Sequence, residues 1–142
     1  DALLISRERY DTGREETVVD DPDTGMPKQI SKPEGTIDYG YDETGQLAPM
    51  SYLGRRIEYI RDFFGRIERV DDHDNEWNYL YNAAGQVAEV RTSTAGLVER
   101  REYDALGRLL LVKHTREETG AVVFGIEYDL GPDGNRIGTR EE

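Results

Sequence analysis

Glycine returns along this chain at a near-constant spacing, and that spacing constrains the fold more than any other feature. Gly25, Gly45, Gly65, Gly85, Gly107 and Gly134 lie 20, 20, 20, 22 and 27 residues apart. Three residues before four of them stand Asp42, Asp62, Asn82 and Asp104, and one further back stand Tyr41, Arg61, Tyr81 and Tyr103. Just beyond lie Leu47, Ile67, Val87, Leu109 and Ile137, with Pro27 the exception. Five positions beyond come Ile30, Met50, Val70, Val90 and Val112. Self-similarity at a fixed period marks a repeat architecture, in which each copy is one supersecondary unit that buries its apolar side against its neighbours.

Halfway between the glycines lies a second turn signal: Pro33-Glu34-Gly35, Leu53-Gly54, Asp74-Asn75, Ala95-Gly96 and Thr119-Gly120. Gly and Asn supply the positive φ that short hairpin loops need. Each repeat therefore reads as two strands and two turns. Strands of about six to eight residues with a turn every ten or so belong to an all-β chain. Nothing has the period of a long amphipathic helix. The fold class expected is all-β: tandem antiparallel β-hairpin repeats of about 20 residues, forming an extended, curved or spiralling sheet.

Both recurring residue types have a physical role. The Asp before each turn can accept from backbone amides two residues on, and Asn82 can do the same. The Gly three later takes the left-handed conformation that closes a longer hairpin with a bulge. Asp-x-x-Gly is thus a hairpin device, not a set of catalytic carboxylates. Side chains alternate faces along a strand. Counting back by twos gives Tyr41, Tyr39, Ile37; Arg61, Tyr59, Ile57; Tyr81, Tyr79, Trp77; Tyr103, Arg101, Glu99, Leu97; and Tyr128, Ile126, Phe124, Val122. Seven of the nine tyrosines fall on this face, so ladders of cross-strand aromatic pairs are expected. Exposed, the same Trp77, Tyr79 and Tyr81 would make a platform for stacking sugars.

One apolar face must be covered, and no helix is present to cover it. Either the sheet rolls on itself, or the repeats continue in a longer parent chain, or copies assemble. Two free sheet edges favour the last two, because unpaired edges recruit strands. Residues 1–35 are expected to be irregular, holding Tyr10-Asp11-Thr12-Gly13 with its shortened turn and the cluster Asp20-Asp21-Pro22-Asp23-Thr24-Gly25. Regular repeats are expected over 36–139. They end on Tyr128-Asp129 with a longer Leu-Gly-Pro-Asp-Gly turn that carries Gly134, and 140–142 form a tail. A chain opening on Asp1 is expected to be a processed or expressed product, or a piece of something longer.

The formal net charge of −12 argues against binding a phosphate backbone and against adhesion to an anionic membrane. No apolar run approaches the ~18 residues of a membrane-spanning helix. The absence of cysteine excludes a disulfide framework and a thiolate zinc site. No serine sits in a nucleophile elbow, and no glycine pattern opens a helix after a strand, so neither a catalytic nor a cofactor site is expected. His114 lies beside Lys113 and Arg116, with no metal partner in sequence. Asp71-Asp72-His73-Asp74-Asn75-Glu76 reads as a solvated acidic turn. Its sharper reading is a Ca²⁺ site on Asp72, Asp74 and Glu76, although the spacing does not match an EF-hand loop.

The pattern Tyr-Asp-x-x-Gly-Arg-Leu/Ile resembles the YD-repeat, or RHS-repeat, family. Tyr103-Asp104-Ala105-Leu106-Gly107-Arg108-Leu109 and Tyr41-Asp42-Glu43-Thr44-Gly45-Gln46-Leu47 carry it most fully. Asp62-Phe63-Phe64-Gly65-Arg66-Ile67 and Tyr81-Asn82-Ala83-Ala84-Gly85-Gln86-Val87 are looser copies. Gly134-Asn135-Arg136 is similar to the family's Gly-Asn-Arg variant. The resemblance implies a spiral of β-hairpins. In that family long arrays form hollow shells around a toxin, or part of a cell-surface receptor in teneurins, and carbohydrate binding is also associated with it. The self-cleaving segment of many bacterial members is not found in this sequence, so no autoprotease residues carry over. The expectation is a non-enzymatic, secreted or cell-surface structural protein that builds a shell or an extracellular assembly. A homopolymeric filament and a glycan-binding module are the alternatives. The partners expected are other copies, the flanking repeats of a longer chain, or a glycan.

Overall fold

The computed structural model describes the backbone of residues 4–9 and 15–141 and the side chains of 16–141. Tyr10-Asp11-Thr12-Gly13 lies outside the described residues. The chain divides into two compact units, Asp1–Ile60 and Arg61–Glu142. The division falls where Arg61 stands at the position that Tyr41, Tyr81 and Tyr103 hold in other repeats.

The first unit is built from β1 (Leu4–Arg9), β2 (Glu15–Asp20), β3 (Pro27–Lys32), β4 (Gly35–Tyr41), β5 (Leu47–Tyr52) and β6 (Arg55–Arg61), which closes at the boundary. Each strand pairs antiparallel with the next. The second unit contains β7 (Ile67–Asp71), β8 (Glu76–Tyr81), β9 (Val87–Thr92), β10 (Leu97–Tyr103), β11 (Leu109–Arg116), β12 (Val122–Leu130) and β13 (Arg136–Glu141). These also pair antiparallel in sequence order. Each unit is thus a meander of hairpins, all-β as the repeat requires, with no helix among the described residues.

Register places the apolar residues as the alternation demands. In the second unit Val70 pairs with Trp77, Trp77 with Thr92, and Thr92 with Leu97. The next row runs Tyr79, Val90, Glu99, His114 and Phe124. The opposite face carries Arg69, Asn78, Arg91, Val98 and Thr115 in one row, and Leu80, Glu89, Arg100 and Lys113 in the next. Its arginines are laced to acids: Arg69 to Glu76, Arg91 to Glu89 and Glu117, and Arg100 to Glu89. In the first unit Tyr39, Met50 and Ile57 align on one face, while Asp38 and Ser51 align on the other.

What neither unit contains is a second layer. Val98 is the only buried hydrophobic side chain among the described residues, at 2 % exposure. The ladder of tyrosines and branched residues is half-buried, because strand neighbours shield its flanks but nothing lies over its top.

The structure departs from the sequence reading in four places. Residues 15–32 are regular: Thr17 to Val19 pair with Ser31 to Gln29, and only the turn 21–26 is one residue longer than the later ones. Pro27 fits because it opens a strand, where its missing N–H costs no ladder bond. Residues 140 and 141 are not a tail, since Arg140 pairs with Glu127 and Glu141 with Ile126. In the acidic loop the positive φ belongs to His73, at 74°, not to Asn75. Finally, the last turn is no longer than its predecessors. Gly131 N donates to Asn135 O and Gly134 N to Gly131 O, the same pair of bonds as in the Asp-x-x-Gly turns. Gly131 therefore takes the place of the aspartate, and Asp129 instead receives Arg140.

Candidate functional site

The recurring site is the turn itself together with what it grips in its neighbour. In four copies the side-chain Oδ1 of the first residue accepts from amides two and four residues on. Asp42 takes Thr44 and Gln46 at 2.8 and 3.0 Å, and Asp62 takes Phe64 and Arg66 at 2.9 and 3.0 Å. Asn82 takes Ala84 and Gln86, both at 3.0 Å, and Asp104 takes Leu106 and Arg108, both at 2.9 Å. The glycine amide donates back to the first residue's carbonyl at 2.9 Å in each. At φ between 77 and 80°, Gly45, Gly65, Gly85 and Gly107 occupy the left-handed region open to glycine at little steric cost.

Where the residue after the glycine is arginine, it closes the turn with charge. Arg66 Nε donates to the second oxygen of Asp62 at 2.7 Å, and Arg108 does the same to Asp104. The Arg66 guanidinium, with the amides of Arg66 and Phe64, holds the Asp62 carboxyl below its ordinary value. At Asp104 the Arg108 amide leads and its guanidinium adds to it, again lowering the carboxyl.

Two further kinds of contact tie neighbouring turns together within a unit. The tyrosine hydroxyls donate to a main-chain carbonyl of the preceding repeat: Tyr41 to Pro27 at 2.8 Å, Tyr81 to Ile67 at 2.6 Å, Tyr103 to Val87 at 2.8 Å. Each acceptor is the residue two beyond the previous turn glycine. Burial raises the Tyr41 and Tyr81 hydroxyls above their ordinary values. In the other direction, the residue after the glycine reaches forward. Arg66 lies 4.1 Å from the centre of the Tyr81 ring, Gln86 donates to Gly107 O at 2.8 Å, and Arg108 approaches Gly131 O at 3.5 Å. Added Cβ atoms at Gly107 and Gly134 would stand 3.2 and 3.1 Å from Gln86 and Arg108. These glycines thus serve a close approach as well as a backbone angle.

The tyrosine clasp is the feature that sequence reasoning missed. Tyr was assigned to cross-strand packing, yet its hydroxyl is a connector. The signal was its fixed place four residues before the glycine of its own turn, which a packing role alone does not demand.

The remaining candidates fare differently. Asp72 uses Oδ1 to accept the amides of Asp74 and Asn75. Glu76 faces Arg69 at 3.3 Å and accepts from Asn78. With Asp74 they form no group of three or more metal-ligating side chains, and no other such group occurs among the described residues. Trp77 and Tyr79 are half-buried on the apolar face. Tyr81 is already engaged, with its hydroxyl on Ile67 and the Arg66 guanidinium over its ring, so a sugar would have to displace Arg66. His114 lies 3.5 Å from Glu99, which also holds Arg101, making a charged island on that face.

Residues 81–121 match the family described as RHS Repeat. The chain is 28 % identical over 127 residues to the double-stranded DNA deaminase toxin A of Burkholderia cenocepacia, spanning 82 % of this chain and 9 % of that protein. To the probable deoxyribonuclease RhsB of Dickeya dadantii it is 35 % identical over 107 residues, spanning 70 % of this chain and 7 % of that protein. Among solved structures, a chain in the crystal structure of TcdB2-TccC3 superposes with a TM-score of 0.68 at 18 % identity. That match covers 95 % of this chain and 8 % of the other. The chain therefore spans less than a tenth of the length of these relatives.

Proposed function

We propose, from the premise that this chain belongs to the RHS-repeat family, that it is a stretch of structural wall in a much larger shell. The observation that carries the proposal is that each unit is a single layer of strands, with one buried hydrophobic side chain among the described residues and with Tyr41, Tyr81 and Tyr103 each clasping the repeat before. A chain of this length ordinarily encloses a core of its own. These units put their order into neighbour-to-neighbour contacts instead, as solenoids do, where stability is a sum over repeats and their interfaces. Such a wall extends without limit in principle, and flanking repeats of a parent chain would complete what it leaves half-covered.

The wall itself carries no chemistry in this reading. The activities named for the two relatives belong to proteins of which this segment matches 9 % and 7 %, and we assign them to the parts outside the match. A shell that delivers its contents acts outside the cell that made it, which makes the parent secreted or surface-bound.

Negative-stain microscopy, light scattering and binding of an apolar dye to the purified chain test the proposal together. The expected result is strong dye binding, reporting an apolar face that lacks its cover. A monodisperse monomer that binds no dye and melts in one steep step would overturn it, because its sheets would then be closing their own core.

A further inference from the structure

The Asp-x-x-Gly turns of the second unit present an apolar ridge at their tips. The two central residues are Phe63-Phe64, then Ala83-Ala84, then Ala105-Leu106. Phe63 is 97 %, Phe64 77 % and Leu106 79 % exposed. In the first unit the corresponding tips are acidic or polar: Pro22-Asp23-Thr24 and Glu43-Thr44. A turn tip has no folding reason to carry two phenylalanines, and large exposed apolar patches mark interaction surfaces.

We propose that this turn edge docks against the same edge of a second copy of the chain, and three observations select that occupant. The edge holds both a knob and its socket. Phe63 and Phe64 stand edge-to-face at 5.6 Å, with Arg66 5.1 Å from the Phe64 ring. The next two turns flank a groove of about 550 Å³ lined by Ala83, Ala84, Ala88 and Ala105, with the charged Arg101, Glu102 and Asp104 also on its walls. Successive tips are two strands apart, about 10 Å. A two-fold relation therefore seats the knob of each copy in the groove of the other, and an interface of this kind is self-complementary by construction.

Charge permits the approach. The chain carries −12 overall, but at this edge Asp62 is matched by Arg66 and Asp104 by Arg108, and Asn82 is neutral. The first unit's tips differ in composition, since Met26 and Gln46 follow its turn glycines and Pro22, Asp23, Glu43 and Thr44 stand at its tips. The area is also sufficient. Two phenylalanines and a leucine from each copy remove on the order of 900 Å² from water. With the groove walls they cover, the total passes the roughly 1,000 Å² that a specific interface needs.

Sedimentation of the full chain from about 10 µM to about 1 mM tests this. The expected result is a concentration-dependent dimer. The double variant Phe63→Ser/Phe64→Ser and the socket variant Ala105→Arg should each weaken it about tenfold or more. Leu53→Ser, at a tip on the first unit's opposite edge, should leave it unchanged. All four side chains are exposed, and circular dichroism of each variant checks that the fold survives. Because the chain has no cysteine, Phe63→Cys mixed with Ala84→Cys should cross-link on oxidation as the hetero pair in excess of the statistical mixture. A chain that stays monomeric throughout, an association indifferent to both the knob and the socket variants, or statistical cross-linking overturns the proposal.

Discussion

In each unit the two edges of the sheet are built on different rules. Along one edge four turns, 42–46, 62–66, 82–86 and 104–108, repeat nearly atom for atom: a carboxylate or carboxamide accepting two amides and a glycine near φ +80°, with Tyr41, Tyr81 and Tyr103 each on a carbonyl of the repeat before. Along the other edge every loop is different. Pro33-Glu34 joins β3 to β4 before Gly35, at φ 152°. Leu53 and Gly54 take φ 49° and 78°, and His73 takes 74° in a loop of four residues. The difference teaches what the repeat is for. A hairpin needs only a turn, and many sequences make one. A clasp between repeats needs the same atoms in the same places each time, so selection for sequence identity falls on the edge that carries the clasp.

The comparison breaks most severely at the glycines. Gly85→Val should destabilise the second unit by about 2–3 kcal/mol in urea titration, because a β-branched residue is forced to positive φ. The nearest side-chain atom to an added Cβ there is 3.8 Å away, so the loss reports backbone strain and not a clash. On the other edge Leu53→Gly should do the reverse and stabilise by a few tenths of a kcal/mol, since relief of left-handed strain slightly exceeds the entropy glycine adds to the unfolded chain. If Gly85→Val melts like the parent chain, the clasped edge is not the demanding one.

Trp77→Ala should cost about 2 kcal/mol, less than the ~3–5 kcal/mol of a fully buried aromatic, because the face is only half-covered. Tyr103→Phe sharpens the distinction between packing and clasping. It keeps the ring and removes the 2.8 Å bond to Val87 O, for an expected loss of about 1 kcal/mol by thermal or urea melting. No change would return tyrosine to a packing role.

The acid limb is the smallest effect and the most specific. Asp62 and Asp104 have carboxyls lowered in the folded chain. Their contribution is therefore present above the unfolded value near about 3.9 and is lost as pH falls through the lower folded value. Tyr41 and Tyr81 are raised, so theirs is present below about 10 and lost as pH rises through the folded value. Stability should be flat between these limits. Asp104→Asn keeps the amide contacts, as Asn82 does naturally, and removes the titrating partner of Arg108. Melting between about pH 2 and 6 should then show a shallower acid decline. An unchanged decline would place the acid sensitivity outside the clasped edge.

Much of the architecture was legible in the sequence, and particular residues say why. Asp-x-x-Gly reports a backbone angle and two amides, all within five residues, and such local geometry follows from local chemistry. Strand alternation through Trp77, Tyr79 and Tyr81 is likewise local. The errors arose where one copy departs from its neighbours. Tyr128-Asp129 looks like the repeat motif, but the turn closes two residues later on Gly131, because the glycine at 134 and not the dipeptide sets the register. Likewise, Asn75 looks like the positive-φ residue, yet in the loop between Asp71 and Glu76 that conformation falls on His73.

By itself, then, the sequence determined the hairpin, its period, and which face of each strand is apolar, since each of these is a property of neighbours along the chain. Only the tertiary structure decided what the tyrosine hydroxyl holds and that Arg66, Gln86 and Arg108, each following a turn glycine, reach forward to the next repeat. It also decided that almost nothing is fully buried. Those facts depend on residues 14 to 23 positions apart, brought together by strand pairing, and spacing in one dimension carries no direct record of which atoms meet in three.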